Sequence, residues 1–363
     1  MNTNMNDMTI EEAWSRLQQR GLVEGEQPAT DAQSSPWYVR VMLGIAGWMG
    51  AGFLLGFVGV AFAFAMENAF ASILIGVLCC GGAYAIFRAA GNNDFLAQFG
   101  LAVSFAGQFM VIYGVFKAFD WESVSAFLIA AVFEAALVVL IPNTIHRVLS
   151  SGGAMLALAF GMERAGLFGL SSAVAAAVFA LVWLDRERWA GTGALWRPVG
   201  YGMALALLYL ESARFFDYYR YWMHRDPSWL MQYGPMIGFV FTAVVCVWAT
   251  ARLLEREGIA LASAVGTAAI LAALLLCVLS YVAPGVAIAS LILLLGFACG
   301  NRILMGMGVI ALLGFVSHYY YQMQSTLLVK SAVLAATGLA LLLARLVLHH
   351  YFPLDSTEEQ HHA

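Results

Sequence analysis

Charge is what this chain has least of. Only 18 Lys+Arg and 22 Asp+Glu occur in 363 residues, 11% charged against 62% hydrophobic, where a soluble domain is about a quarter charged. Forty charged groups cannot cover the surface of a water-soluble globule of this length, so the composition specifies a membrane protein. The same scarcity excludes intrinsic disorder. A net charge of −4 gives no basic excess for a polyanion, so no nucleic-acid partner is expected. Cysteine is nearly as informative. Cys79, Cys80, Cys246, Cys277 and Cys299 lie in or beside apolar runs with no C-x-x-C spacing; buried reduced thiols are expected, with no disulfide frame and no zinc or haem site. Gly-rich phosphate loops, H-E-x-x-H and G-x-S-x-G are all missing. The doublets His349-His350 and His361-His362 are too isolated to read as a metal site. Neither a cofactor nor an enzymatic activity is expected, and nothing argues for an intramembrane enzyme.

What is present is a succession of apolar runs, each near the roughly 20 residues needed to cross about 30 Å of hydrocarbon. Twelve are counted: Val41 to Ala65, Phe70 to Phe87, Phe95 to Ala118, Val124 to Ile141, Ile145 to Met162, Ala165 to Leu184, Val199 to Phe215, Pro235 to Leu254, Ile259 to Tyr281, Val282 to Ala298, Ile303 to His318 and Leu327 to Leu348. The run flanked by His146 and Arg147 and the tight connection from Tyr281 to Pro284 leave a range of ten to twelve. Backbone amides cannot be left unpaired in lipid, so the expected fold is all-α, a polytopic transmembrane helix bundle. Residues 1–36 form a cytoplasmic amphipathic helix and linker, 37–350 the transmembrane helical domain, and 351–363 a cytoplasmic tail. In the first of these, Thr9 and Glu12 have capping-box spacing, and Ile10, Ala13, Trp14 and Leu17 share one face before Gly21. No cleavable signal peptide is expected ahead of the first span.

Arginine and lysine near span ends are retained on the cytoplasmic side. With the N-terminus inside, twelve fall on that side: Arg16, Arg20, Arg40, Arg88, Arg147, Arg186, Arg188, Arg197, Arg252, Arg256, Arg302 and Arg345. The other side receives six: Lys117, Arg164, Arg214, Arg220, Arg225 and Lys330. Both termini are therefore expected in the cytoplasm. Close helix contacts in lipid depend on small residues, and the first span (Gly52, Gly56) and the eleventh (Gly306 to Gly314) supply them.

Ionisable groups inside spans are costly and often functional. Glu134 sits in Ala130-Ala131-Val132-Phe133-Glu134-Ala135-Ala136 with no polar neighbour; Glu211 precedes Arg214 by three residues; Lys330 lies about a turn into the last span. Glu211 and Arg214 can face each other on one helix. Glu134 and Lys330 can be brought to similar depth, either as an internal ion pair fixing helix register or with Glu134 as a protonatable carboxylate in a solute or proton path. Between Arg214 and Trp229 the sequence RFFDYYRYWMHRDPSW is half aromatic. Arg220, Trp222, His224 and Arg225, with His318 on the same expected face, form an outer aromatic and basic rim that acts either as an interfacial belt or as a gate.

The junction Ser35-Pro36-Trp37-Tyr38-Val39-Arg40, leading into Gly47-Trp48 and Phe53-Leu54-Leu55-Gly56-Phe57, resembles the start of the bacterial membrane family called domain of unknown function 4401. Trp14, Leu17 and Gly21-Leu22-Val23 are similar to the short helix ahead of the spans in that family. The resemblance implies a multi-pass protein of the bacterial inner membrane and a smaller membrane protein with a Gly-Asp-Tyr signature as a neighbour. It carries over no catalytic residue. Two functions stay open, a secondary-transporter-like protein for a small solute or ion and a non-catalytic membrane scaffold or accessory subunit. The segment RAAGNND at Arg88 to Asp94 is not a convincing major-facilitator loop, and no Pro-broken helix pair is evident.

Overall fold

The structure is a computed structural model that describes residues 10–20, 67–91, 93–185, 189–214 and 229–322, with isolated positions from 42 to 56 and at 328, 331 and 335. Among the described residues every extended element is a helix: α1 (Ile10–Gln19), α2 (Ala69–Ala90), α3 (Asp94–Phe119), α4 (Val124–Leu140), α5 (Thr144–Arg164), α6 (Ser171–Leu184), α7 (Gly193–Ala213), α8 (Trp229–Arg256), α9 (Ala264–Val282), α10 (Val286–Ala298) and α11 (Arg302–Gln322). Six of the described helices are long and apolar enough to cross a membrane, and α4, α6 and α10 are shorter apolar helices. The expected runs two to eleven coincide with α2 to α11. The first and twelfth lie almost wholly outside the described residues.

Polar residues at the junctions decide where the helices begin. The side-chain carbonyls of Asn68, Asn93, Asn143 and Asn301 accept from backbone amides at the starts of α2, α3, α5 and α11, and Ser263 does the same for α9. Where α5 stops, Gly166 takes φ +84 and Leu167 N donates back to Met162 O at 2.8 Å, a turn that closes a helix end without unpaired carbonyls. That turn explains why α6 begins at Ser171 and not at Ala165. Likewise Gly285, at φ +89 after Pro284, starts α10 at Val286 and not at Val282.

Two prolines lie inside helices. Pro198 falls in α7 and Pro235 in α8, whereas the sequence had placed both at or before a span start, a position proline favours. Both helices extend upstream of the proline by several residues and continue through it unbroken.

The chain packs mainly through sequential neighbours. α2 lies along α3, α4 along α5, α5 along α7, and α10 along α11, while α6 contacts both α7 and α8. Glycine sets the closest approaches. A Cβ added at Gly107 would meet Gly76 O, Cys79 Cβ and Cys80 Sγ at under 3.0 Å, and one at Gly76 would meet Gly107 O and Val111. Gly202 similarly faces Val148 O and Ser151 on α5. Of the stretches the sequence emphasised, Gly306 to Gly314 holds one close seam among the described residues. Among the described residues an added Cβ at Gly52, Gly56, Gly306 or Gly314 would meet nothing within 4 Å, and in that stretch of α11 it is Gly308 that touches α10, at Leu293. Glycine frequency marks a helix able to pack closely; it does not say on which face.

α6 and α10 occupy the centre. Nearly every position of α6 is buried, and Val286 through Ala289, Leu291, Ile292, Leu295 and Gly296 of α10 are buried with it. The periphery is apolar and uncovered: Val132, Leu275 and Ile310 are 71%, 69% and 72% exposed. Apolar side chains facing outward around a polar-poor core is the arrangement a lipid solvent permits.

Candidate functional site

Within the core formed by α2 to α5, five polar side chains meet where the composition supplies almost none. Ser104 and Gln108 are one turn apart on α3, Glu134 is on α4, and His146 and Ser150 are one turn apart on α5. All five are buried, Glu134 to 4% exposure and His146 completely. Helical spacing explains the convergence, since residues at i and i+4 share a face and each pair points into the same interior. Gly153 continues the His146 and Ser150 face, and a Cβ there would lie 3.7 Å from the Glu134 carboxyl carbon. The backbone of α5 thus leaves space for the acid.

Gln108 connects the parts. With its amide nitrogen toward α4 it donates to both carboxylate oxygens of Glu134, at 3.0 and 3.2 Å, while its oxygen accepts from His146 Nε2 at 2.8 Å and from Ser104 Oγ at 3.3 Å. Ser104 Oγ is also 2.8 Å from His146 Nε2. The imidazole is gripped by Phe105, stacked at 5.6 Å between ring centroids, and by Phe87, edge-on at 6.2 Å. Its Nδ1 has no partner among the described residues, and Ser150 Oγ lies beside the Glu134 carboxylate, placed to donate to it. Cys80 borders the group and donates to Ser104 O at 3.7 Å.

This arrangement has two self-consistent hydrogen-bond states. An ionised Glu134 only accepts, so the amide must give it N–H groups and turn its oxygen to a His146 that carries its proton on Nε2. A protonated Glu134 can donate, and the reversed amide then offers its nitrogen to a bare His146 Nε2 at the same 2.8 Å separation. Rotation of that amide would exchange the two arrangements, each tying one protonation state of Glu134 to one tautomer of His146. No cation pairs with Glu134 among the described residues, and Lys330, one partner the sequence allows, lies outside them. The cluster offers no metal cage, because no group of three or more His, Cys, Asp or Glu converges among the described residues.

A family match covers residues 36–351 and is described as Domain of unknown function (DUF4401). The chain belongs to that family. No curated protein and no solved structure matches it. For this DUF4401 chain the sequence resemblance therefore held over nearly its whole length, beyond the first span where the specific residues lie.

The other residues singled out from the DUF4401 sequence fall elsewhere. Glu211, buried near the end of α7, is 3.4 Å from Arg214 and does not join the cluster around Glu134. His318 lies half-buried near the end of α11. Arg220, Trp222, His224 and Arg225 lie outside the described residues. Sequence reading missed Ser104, Gln108, His146 and Ser150. The usable signal was two polar pairs at i, i+4 inside apolar runs; His146 had been treated as a span flank.

Proposed function

We propose that this protein is a secondary-transporter-like membrane protein in which Glu134 takes up and releases a proton as a small solute or ion crosses. The observation that carries the reading is the position of Glu134, a carboxylate buried between helices and held only by neutral hydrogen-bond partners. An acid in such a place is expensive to keep unless it is used. The amide of Gln108 and the imidazole of His146 give it two alternative partner sets, as a group that alternates between protonation states requires. In this reading the chain has twelve spans in a bacterial inner membrane with both termini in the cytoplasm, following its arginine distribution.

The test replaces Glu134 by Gln in the chromosomal copy and compares that strain with a clean deletion over a panel of solutes and external pH. We expect Glu134→Gln to reproduce the deletion phenotype at an unchanged membrane level of the protein. A variant that behaves as wild type overturns the reading.

A second reading, a scaffold for a small membrane protein such as one with a Gly-Asp-Tyr signature, is favoured by Gly306 and Gly314 on α11, which no described residue covers. Small residues on an outward helix face admit another helix. Extraction from native membranes in mild detergent decides it, because a chain recovered alone and monodisperse excludes an obligate scaffold.

A further inference from the structure

Three arginines far apart in sequence are gathered at one end of the bundle. Arg147 begins α5, Arg197 lies in the first turns of α7, and Arg256 closes α8; all line a cavity of about 1150 Å³. Its size is at the upper end for small-molecule sites. Among the described residues no acidic side chain lines it. Arg147 is aimed by two backbone carbonyls, donating through Nε to Val138 O at 3.0 Å and through Nη1 to Ala194 O at 2.9 Å. Arg256 has Asp185 only at 3.9 Å, and Arg197 has no ion pair among the described residues.

The rest of the wall is aromatic. Trp183, Trp189, Trp196 and Tyr201 line the same space, with Trp189 and Trp196 in contact at 4.2 Å and Trp183 edge-on to Tyr201 at 5.4 Å. These rings are not a lipid-facing belt, because Trp183 is 3% exposed and its indole seats against Gly200. The Tyr201 hydroxyl is fixed by Asn301 Nδ2, which donates to it at 2.7 Å. The indole N–H groups of Trp183 and Trp189 find no acceptor among the described residues. Guanidinium groups pair with planar or tetrahedral oxyanions through parallel N–H donors, and aromatic faces hold flat apolar groups.

We infer that this cavity binds an organic anion, its carboxylate or phosphate held by Arg147, Arg197 and Arg256 and its apolar body set against the tryptophans. Two sources share that chemistry, a soluble aromatic or apolar acid and the headgroup of an anionic lipid. The inference is separate from the role of Glu134, and binding is measured without transport, so Glu134→Gln leaves it intact whichever way the transport test falls.

The test titrates the purified full-length chain in neutral detergent with phenyl phosphate, inorganic phosphate and phenol, following tryptophan fluorescence and thermal midpoint. Phenyl phosphate should quench saturably and raise the midpoint, inorganic phosphate should act more weakly, and phenol should do neither. Arg197→Gln should weaken phenyl phosphate about ten-fold, with Arg197→Lys retaining part of the affinity, which a general loss of folding would not produce. The titration is repeated in nanodiscs of phosphatidylcholine with and without phosphatidylglycerol. Competition by phosphatidylglycerol identifies a lipid headgroup as the occupant, and an unchanged response identifies a soluble anion. No saturable response in any arm, or the same response in Arg197→Gln as in wild type, overturns the inference.

Discussion

Glu134 and Gln108 depend on each other in a way that is measurable without knowing what the protein moves. Truncating Gln108 to Leu removes the donor to a buried carboxylate, and an unsatisfied buried group of this kind costs about 1–3 kcal/mol. The thermal midpoint of Gln108→Leu should therefore fall by a few degrees. In combination with Glu134→Gln the two losses should not add, because the residues share one hydrogen-bond network; a coupling of about 0.5–3 kcal/mol is expected. Strict additivity in a double-mutant cycle measured by thermal or denaturant unfolding would show that the pair does not interact. Glu134 itself was legible in the sequence, since a charge stands out in the run AAVFEAA. Its partners were not. Ser, Gln and His are tolerated in spans at smaller cost, and the contacts that give them meaning come from three helices separated by up to 42 residues. The arginines of the cavity were visible only as counters of sidedness for the same reason.

At the scale of helices, the sequence specified identity and approximate position well because lipid leaves one solution for a long apolar run. It misplaced starts wherever a glycine turn or an internal proline intervened, as at Ser171 and Pro235. It also left open which glycines of a run form contacts, since a face is decided by the partner helix and not by the run itself. That distinction gives a paired test. Gly107→Ala places a methyl group against Gly76 O and Cys80 Sγ at under 3.0 Å. Rigid seams of this kind should lose about 1–3 kcal/mol through displacement of α2 from α3. Gly306→Ala on α11 meets nothing within 4 Å and should leave stability unchanged or slightly raised, as expected for glycine replaced in a helix. Thermal midpoints of the two variants in the same detergent measure the contrast, and equal losses would refute the assignment of the seam.

For the whole molecule, the cations Arg147, Arg197 and Arg256 line one cavity although three different helices carry them. The hydropathy and charge pattern supplied a topology, and the fold places these members of its cytoplasmic set together. A fluorescent protein fused after Ala363 should fold and fluoresce in cells, while alkaline phosphatase at the same site should stay inactive, because both termini are expected inside. The opposite result would reverse the topology and turn the arginine cavity outward.

The shortness of the central helices has an electrical consequence. α6 and α10 contain 14 and 13 residues, which at 1.5 Å per residue cover about 20 Å, against the roughly 30 Å of a hydrocarbon layer. If water reaches both ends of these two helices in a membrane, the insulating layer through this part of the bundle is about a third thinner than the surrounding lipid, with the arginine cavity at one end of it. A transmembrane voltage falls across whatever insulator remains, so with about 20 Å in place of about 30 Å the field along α6 and α10 would be steeper than in the bilayer by about half. An ion moving the full drop feels about 2.3 kcal/mol per 100 mV, delivered over the length of one short helix.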